Sequence, residues 1–198
     1  AASPDWPAWR GPTADGHAAE GQTPPTTWSE TEHVLWRAPI RGRGHSSPVV
    51  AGERVYVTTA DTTRQEQLVV ALDRATGKPA WETVVHRGNL DTAGHRNTSQ
   101  ASATAAWDGE RLYVNFLNEK AIHTTALDAS GRIVWTRRVA DYVTHQGFGA
   151  SPVVHGEIVL VAADHKGGGK ISGLDRRTGR IVWQQDRPPV ANYATPAV

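Results

Sequence analysis

Ala71-Leu72-Asp73-Arg74-Ala75-Thr76-Gly77-Lys78-Pro79-Ala80-Trp81 is written twice more along this chain with small changes. Residues 126–135 read Ala-Leu-Asp-Ala-Ser-Gly-Arg-Ile-Val-Trp, and residues 173–183 read Gly-Leu-Asp-Arg-Arg-Thr-Gly-Arg-Ile-Val-Trp. Each copy ends on a tryptophan that follows a glycine by four positions. Trp36 lacks the preceding turn but joins the series: Trp36, Trp81, Trp135 and Trp183 are spaced 45, 54 and 48 residues apart. A period of this size predicts a repeat architecture.

Working outward from the phrase, the acidic residue and the glycine make a turn. Asp73, Asp128 and Asp175 can bond their own backbone two residues on. Gly77, Gly131 and Gly179 take the left-handed conformation that strains other residues. A second signature precedes each phrase: Gly52-Glu53, Gly109-Glu110 and Gly156-Glu157, each between an apolar run and a β-branched or aromatic run. That pattern predicts a hairpin. Two hairpins per unit give four antiparallel strands, and no segment carries a sustained helical period. The expected fold is therefore all-β, with each unit a propeller blade. A sandwich is the runner-up, but it gives no reason for an indole at a constant offset from a turn glycine. The four tryptophans are expected to act as docking residues packed between neighbouring sheets. Four segments rich in small residues, 46–50, 102–106, 150–154 and 194–198, are expected as innermost strands near the axis.

The blades are expected at about 45–96, 97–148 and 149–192, with a further blade opening at 193–198. An outer strand at 33–38 carries Trp36 and has no partner within the chain. The propeller then covers 33–198, and residues 1–32, rich in Pro, Gly and Thr, form an extended arm. No Met occurs, so the natural start is expected upstream. At roughly 48 residues per blade, a ring of about eight blades needs about 400 residues, which makes this chain a partial propeller of about half a ring.

Composition narrows function by exclusion. Twenty-one basic and 20 acidic residues leave a net charge of +1, and no basic stripe interleaved with aromatics points to nucleic acid. No apolar run is long enough to span a membrane as a helix. The absence of cysteine excludes a disulfide scaffold and a thiolate metal site. The start Ala-Ala-Ser-Pro-Asp-Trp-Pro reads like sequence just after a removed signal peptide, so a periplasmic or secreted location is expected.

Candidate ligand-binding residues cluster before the innermost strands, where loops would enter the channel. They are His45, His95, Asn97, His145 and Gln146. Three imidazoles from successive blades could meet on a metal or an anion. Their unequal distances from the following strands favour the plainer reading, loop residues bonding nearby backbone. No metal site and no catalytic residue is assigned. Lys166-Gly167-Gly168-Gly169-Lys170 lacks the ending and helix of a phosphate loop and is expected as a hairpin turn. Serines 46, 47, 99 and 102 sit near histidines but carry no nucleophile elbow.

Ala-Leu-Asp-x-x-Thr-Gly-Lys-x-x-Trp resembles the tryptophan-docking repeat of the PQQ-like (pyrroloquinoline quinone-like) β-propellers. Trp6-Pro-Ala-Trp-Arg10-Gly11-Pro12, the run Trp28 to Trp36, Gly44-His-Ser-Ser-Pro48 and His145-Gln-Gly-Phe-Gly-Ala-Ser-Pro152 resemble the secreted planctomycete-type group of that superfamily. The resemblance implies a quinoprotein-like fold. It also implies a non-catalytic extracytoplasmic module that binds or scaffolds a protein or glycan partner, with no cofactor. One alternative it implies is a PQQ- and Ca2+-dependent alcohol or sugar dehydrogenase, which needs a carboxylate base and acidic calcium ligands. Another is a recognition or sensor domain of a larger protein.

Overall fold

Residues 5–198 are described by a computed structural model, in which every regular element is a strand. Residues 1–4, the opening of the expected arm, lie outside the described residues. The first sheet runs β1 (Val49–Ala51), β2 (Arg54–Asp61), β3 (Glu66–Asp73) and β4 (Pro79–Arg87), in that spatial order. The second is β5 (Ala106–Trp107), β6 (Arg111–Asn118), β7 (Ala121–Asp128) and β8 (Ile133–Asp141). The third is β9 (Val153–His155), β10 (Ile158–Ala163), β11 (Lys170–Asp175) and β12 (Ile181–Asp186). All neighbours pair antiparallel. Three such sheets, stacked face on face and unclosed, make a partial β-propeller.

Burial explains the stacking. In β3 every residue except Asp73 is buried, because both faces of the strand are covered. Val69 and Ala71 point into a core shared with Leu112, Val114, Phe116 and Leu127 of the second sheet. Their neighbours Leu68, Val70 and Leu72 point the other way, onto Trp36, Ala38 and Ile40. This is the two-residue alternation of a strand put to use on two interfaces at once. Tyr113, Ile122 and Ala126 meet Val159, Val161 and Leu174 in the same way between the second and third sheets. Of the outer strands, β8 and β12 stay largely exposed and β4 is half-buried.

The innermost strands start later than expected and are shorter. Segment 46–50 contributes only its end to β1, 102–106 only Ala106 to β5, and 150–154 only its last two residues to β9. Segment 194–198 forms no strand. The reason is a competing use of backbone donors. Ser47 N–H donates to Thr104 Oγ1 (2.9 Å), Thr104 N–H to Ser151 Oγ (2.9 Å), and Ser151 N–H to Thr195 Oγ1 (3.0 Å). Each hydroxyl takes a bond from the blade before it, so these residues run a hoop of hydrogen bonds around the axis instead of lengthening their own sheets. Pro48 and Pro152, with no N–H, cost no ladder bond here. The outer strand expected at 33–38 likewise does not form, and Leu35 projects into solvent. The chain is anchored at its first described residues. Trp6 exchanges both backbone bonds with Val50, and Pro7 C=O accepts from Trp107 N–H (2.8 Å), tying the inner edges of two blades together.

Candidate functional site

Antiparallel pairing gives the blades two unlike ends. One end carries the Gly-Glu hairpins and the Asp-to-Gly turns. The other carries the β2–β3, β6–β7 and β10–β11 hairpins and the connections between blades.

At the turn end the repeated phrase becomes a lock between blades. Asp73 Oδ1 accepts from Thr76 N–H (2.9 Å) and Oγ1 (2.7 Å), and Asp175 repeats this with Thr178. In the shorter middle turn Asp128 Oδ1 accepts from Ser130 and Arg132 N–H. The Ser130 hydroxyl, with these backbone donors, holds the Asp128 carboxyl down at about 2. The turn then presents its glycine to an indole of the preceding blade. A Cβ on Gly131 would sit 2.6 Å from Trp81, and φ there is +84°. Two independent constraints therefore demand glycine. Trp36 lies on Gly77 and Trp135 on Gly179 in the same manner. Each indole N–H also finds a carbonyl in the turn it covers: Trp36 to Arg74 (2.9 Å), Trp81 to Ala129 (3.0 Å), Trp135 to Arg176 (3.1 Å). A register shift between β3 and β4 just before Ala71↔Trp81, repeated in the other two sheets, places each indole. Trp183 lies instead beside its own Gly173, with 42% of its surface exposed. The Trp81 and Trp135 rings are half-buried, bonded and packed between blades, which is the role of inter-blade docking residues.

The other end holds the candidate site. His45, His95, Asn97 and Gln146 line one open depression of about 340 Å³, together with Phe148 and Tyr193. His145 is not on its wall; its Nδ1 pairs with the hydroxyl of Tyr193 (3.2 Å), which is on it. Loops make this site, yet they are held. Gly147 approaches Thr98 so closely that a Cβ would stand 2.5 Å from its Oγ1, and φ is +111°. His95 N–H reaches Gln146 C=O (3.4 Å), and Thr98 N–H reaches His95 C=O (2.9 Å). Phe148 packs edge-on against Tyr142, whose hydroxyl donates to Gly147 C=O (3.0 Å). His95 Nδ1 accepts from Asn97 N–H (3.2 Å), which leaves Nε2 as the ring nitrogen that can donate to a ligand. The Asn97 and Gln146 amides have no hydrogen-bond partner among the described residues. The three imidazoles expected from successive blades do not form a metal site: no group of three or more metal-ligating side chains exists among the described residues.

Three features escaped sequence reasoning. Phe148 and Tyr193 complete the depression; Gly147-Phe148-Gly149 was the available signal, an aromatic between two glycines. Glu66, its side chain 5% exposed, is clamped by Arg41 (2.8 Å) and Arg87 (2.5 Å) near the same end, a satisfied buried carboxylate. His86 of β4 and His123 of β7 meet between the first two blades, ring centroids 5.0 Å apart, with both Nε2 atoms buried and unpartnered. Nothing local in the sequence marks that pair, because the two residues belong to different repeats. The Lys166–Lys170 glycine run closes the β10–β11 hairpin, as expected.

A PQQ–Ca2+ group needs acidic and amide oxygens around the cation. The depression offers amides but no carboxylate, so its lining does not fit that group.

Fold and docking lock together define a tryptophan-docked β-propeller. The family profile described as outer membrane protein assembly factor BamB, a PQQ-type repeat family, matches residues 19–124 and again 65–198. The chain belongs to this family. It is 30% identical over 162 residues to outer membrane protein assembly factor BamB of Pseudomonas aeruginosa, covering 79% of this chain and 36% of that protein. Thus the chain spans about a third of the length of the curated relatives it matches. Among solved structures, BamB from Moraxella catarrhalis superposes with a TM-score of 0.57 at 19% identity, over 79% of this chain and 43% of the other. The quinohemoprotein alcohol dehydrogenase of Comamonas testosteroni gives 0.62 at 19% identity, over 94% and 28%. At such identities the two structures share the fold.

Proposed function

We propose that this protein is a non-catalytic binding and scaffolding propeller that works outside the cytoplasm, periplasmic or secreted, and holds a protein or glycan partner at its loop end. The observation that carries this reading is the depression itself: amides and imidazole faces free for a ligand, on loops pre-set by close glycine contacts. Function on rigid scaffolds concentrates in such loops. The relatives named for outer membrane protein assembly support a protein-binding role. A PQQ- and Ca2+-dependent dehydrogenase is the alternative, and a sensor domain of a larger protein is another. The donor set described above ranks the scaffold ahead of both.

The test uses the full-length protein. A photo-crosslinking residue at Asn97 should give a defined adduct in the native extracytoplasmic fraction, and one at Arg132 on the turn end should not. Incubation with PQQ and Ca2+ should produce no bound-quinone spectrum and no dye reduction with alcohols or sugars. Dye reduction at a stoichiometric quinone load would replace the scaffold by the dehydrogenase.

A further inference from the structure

From the chemistry of the depression we infer that it is a subsite for a neutral, hydroxyl-rich ligand, a saccharide unit. The inference rests on the binding reading above and narrows its ligand. No carboxylate, ammonium or guanidinium group lines the depression. A charged ligand would give up water there and meet no counter-charge. A purely apolar ligand would leave the amides of Asn97 and Gln146 unpaired once covered, which is costly for each. The available groups are mixed instead. Each amide supplies one acceptor and two donor hydrogens, and His95 supplies an Nε2–H donor because its Nδ1 is already engaged by Asn97 N–H. His45 adds a second imidazole to the lining. The Tyr193 ring lines the same depression, and the buried Phe148, braced by Tyr142, closes its base. Donors and acceptors together with the Tyr193 ring match a pyranose, which has hydroxyls around its edge and C–H groups on its face. The volume of about 340 Å³ falls in the range of small-molecule sites and suits one or two sugar units.

The site is loop-built but pre-organised. Gly94 lies 3.2 Å, at its Cβ position, from the backbone of Gln146–Gly147, so the two loops that carry the amides are in contact before any ligand arrives.

The experiment is saturation-transfer NMR and an array screen on the full-length protein, with neutral mono- and oligosaccharides beside sulfated and uronic-acid sugars. Neutral sugars should give signal and their charged counterparts should bind at least tenfold more weakly. The double variant Asn97→Ala/Gln146→Ala should lower affinity at least tenfold with an unchanged melting temperature, while Arg132→Ala binds as the parent does. Signal from free sugars identifies a small-molecule ligand, and signal only from polymers identifies a glycan chain; either supports the subsite. Absence of any neutral-sugar signal overturns it, as does equal binding by the double variant. Because crosslinking from Asn97 to a protein partner is read separately, its success alongside a silent sugar screen overturns the saccharide subsite and leaves the scaffold standing.

Discussion

At the turn end of the blades, three near-copies of one phrase bury three indoles against three glycines; at the loop end, the connections 88–105 and 142–152 differ in length and share no phrase. The same strands feed both ends. What separates them is how many partners constrain each residue. Gly131 answers to its own φ, to the Trp81 ring and to the Asp128 turn at once. Asn97 and Gln146 answer to nothing in the protein beyond backbone placement. Repetition marks the positions where blade packing sets the residue, and irregularity marks those left free for something outside.

Substitutions should separate the two ends in proportion. Gly131→Val drives a side chain into Trp81 and forces a β-branched residue to positive φ, and should cost about 4 kcal/mol in urea unfolding. Next comes acid. Burial, and then the neighbouring His123, hold His86 down at about 4 against 6.5 for a free imidazole. Between those values the unfolded chain takes up a proton that the folded protein refuses. Stability is therefore fullest above pH 6.5 and falls by about 3 kcal/mol as pH drops towards 4. His86→Phe should flatten that part of a melting-temperature profile; a profile that keeps its slope would remove the pair from the account. Thr104→Val deletes the acceptor for Ser47 N–H in the axial hoop and should cost about 2 kcal/mol by the same unfolding assay. Asn97→Ala with Gln146→Ala should change stability by less than about 0.5 kcal/mol, since both side chains are exposed and unbonded. A larger loss there would mean that the loop end is as tightly determined as the turn end.

Four antiparallel strands per blade and the docking of Trp81 and Trp135 could be read from the chain, because the phrase is written three times at a constant offset. The strands expected at 33–38 and 194–198, by contrast, do not form, and Trp183 lies beside its own Gly173. The candidate depression was legible in part. His45, His95, Asn97 and Gln146 were found by their place before the inner strands, and the structure gathers those four. His145 was found by the same rule but turns to Tyr193. Phe148 stood only inside a motif that resembles a family, and the short inner strands read as longer, because a Ser or Thr hydroxyl that draws a backbone N–H sideways looks in sequence like any small residue near an axis. His86 and His123 were invisible: a pair that forms only when two repeats stack has no local pattern to show.

The indole lock has a direction, and direction matters while the polypeptide is being made. Trp81 is synthesised 48 residues before the carbonyl at Ala129 that accepts its N–H. At about 5–20 residues per second, that ring waits roughly 2–10 s for its seat. Each newly completed sheet therefore displays a greasy side to the cell until the following one arrives. A ribosomal pause inside a repeat should be far more hazardous for this protein than one between repeats, and holdase chaperones should find it at those moments.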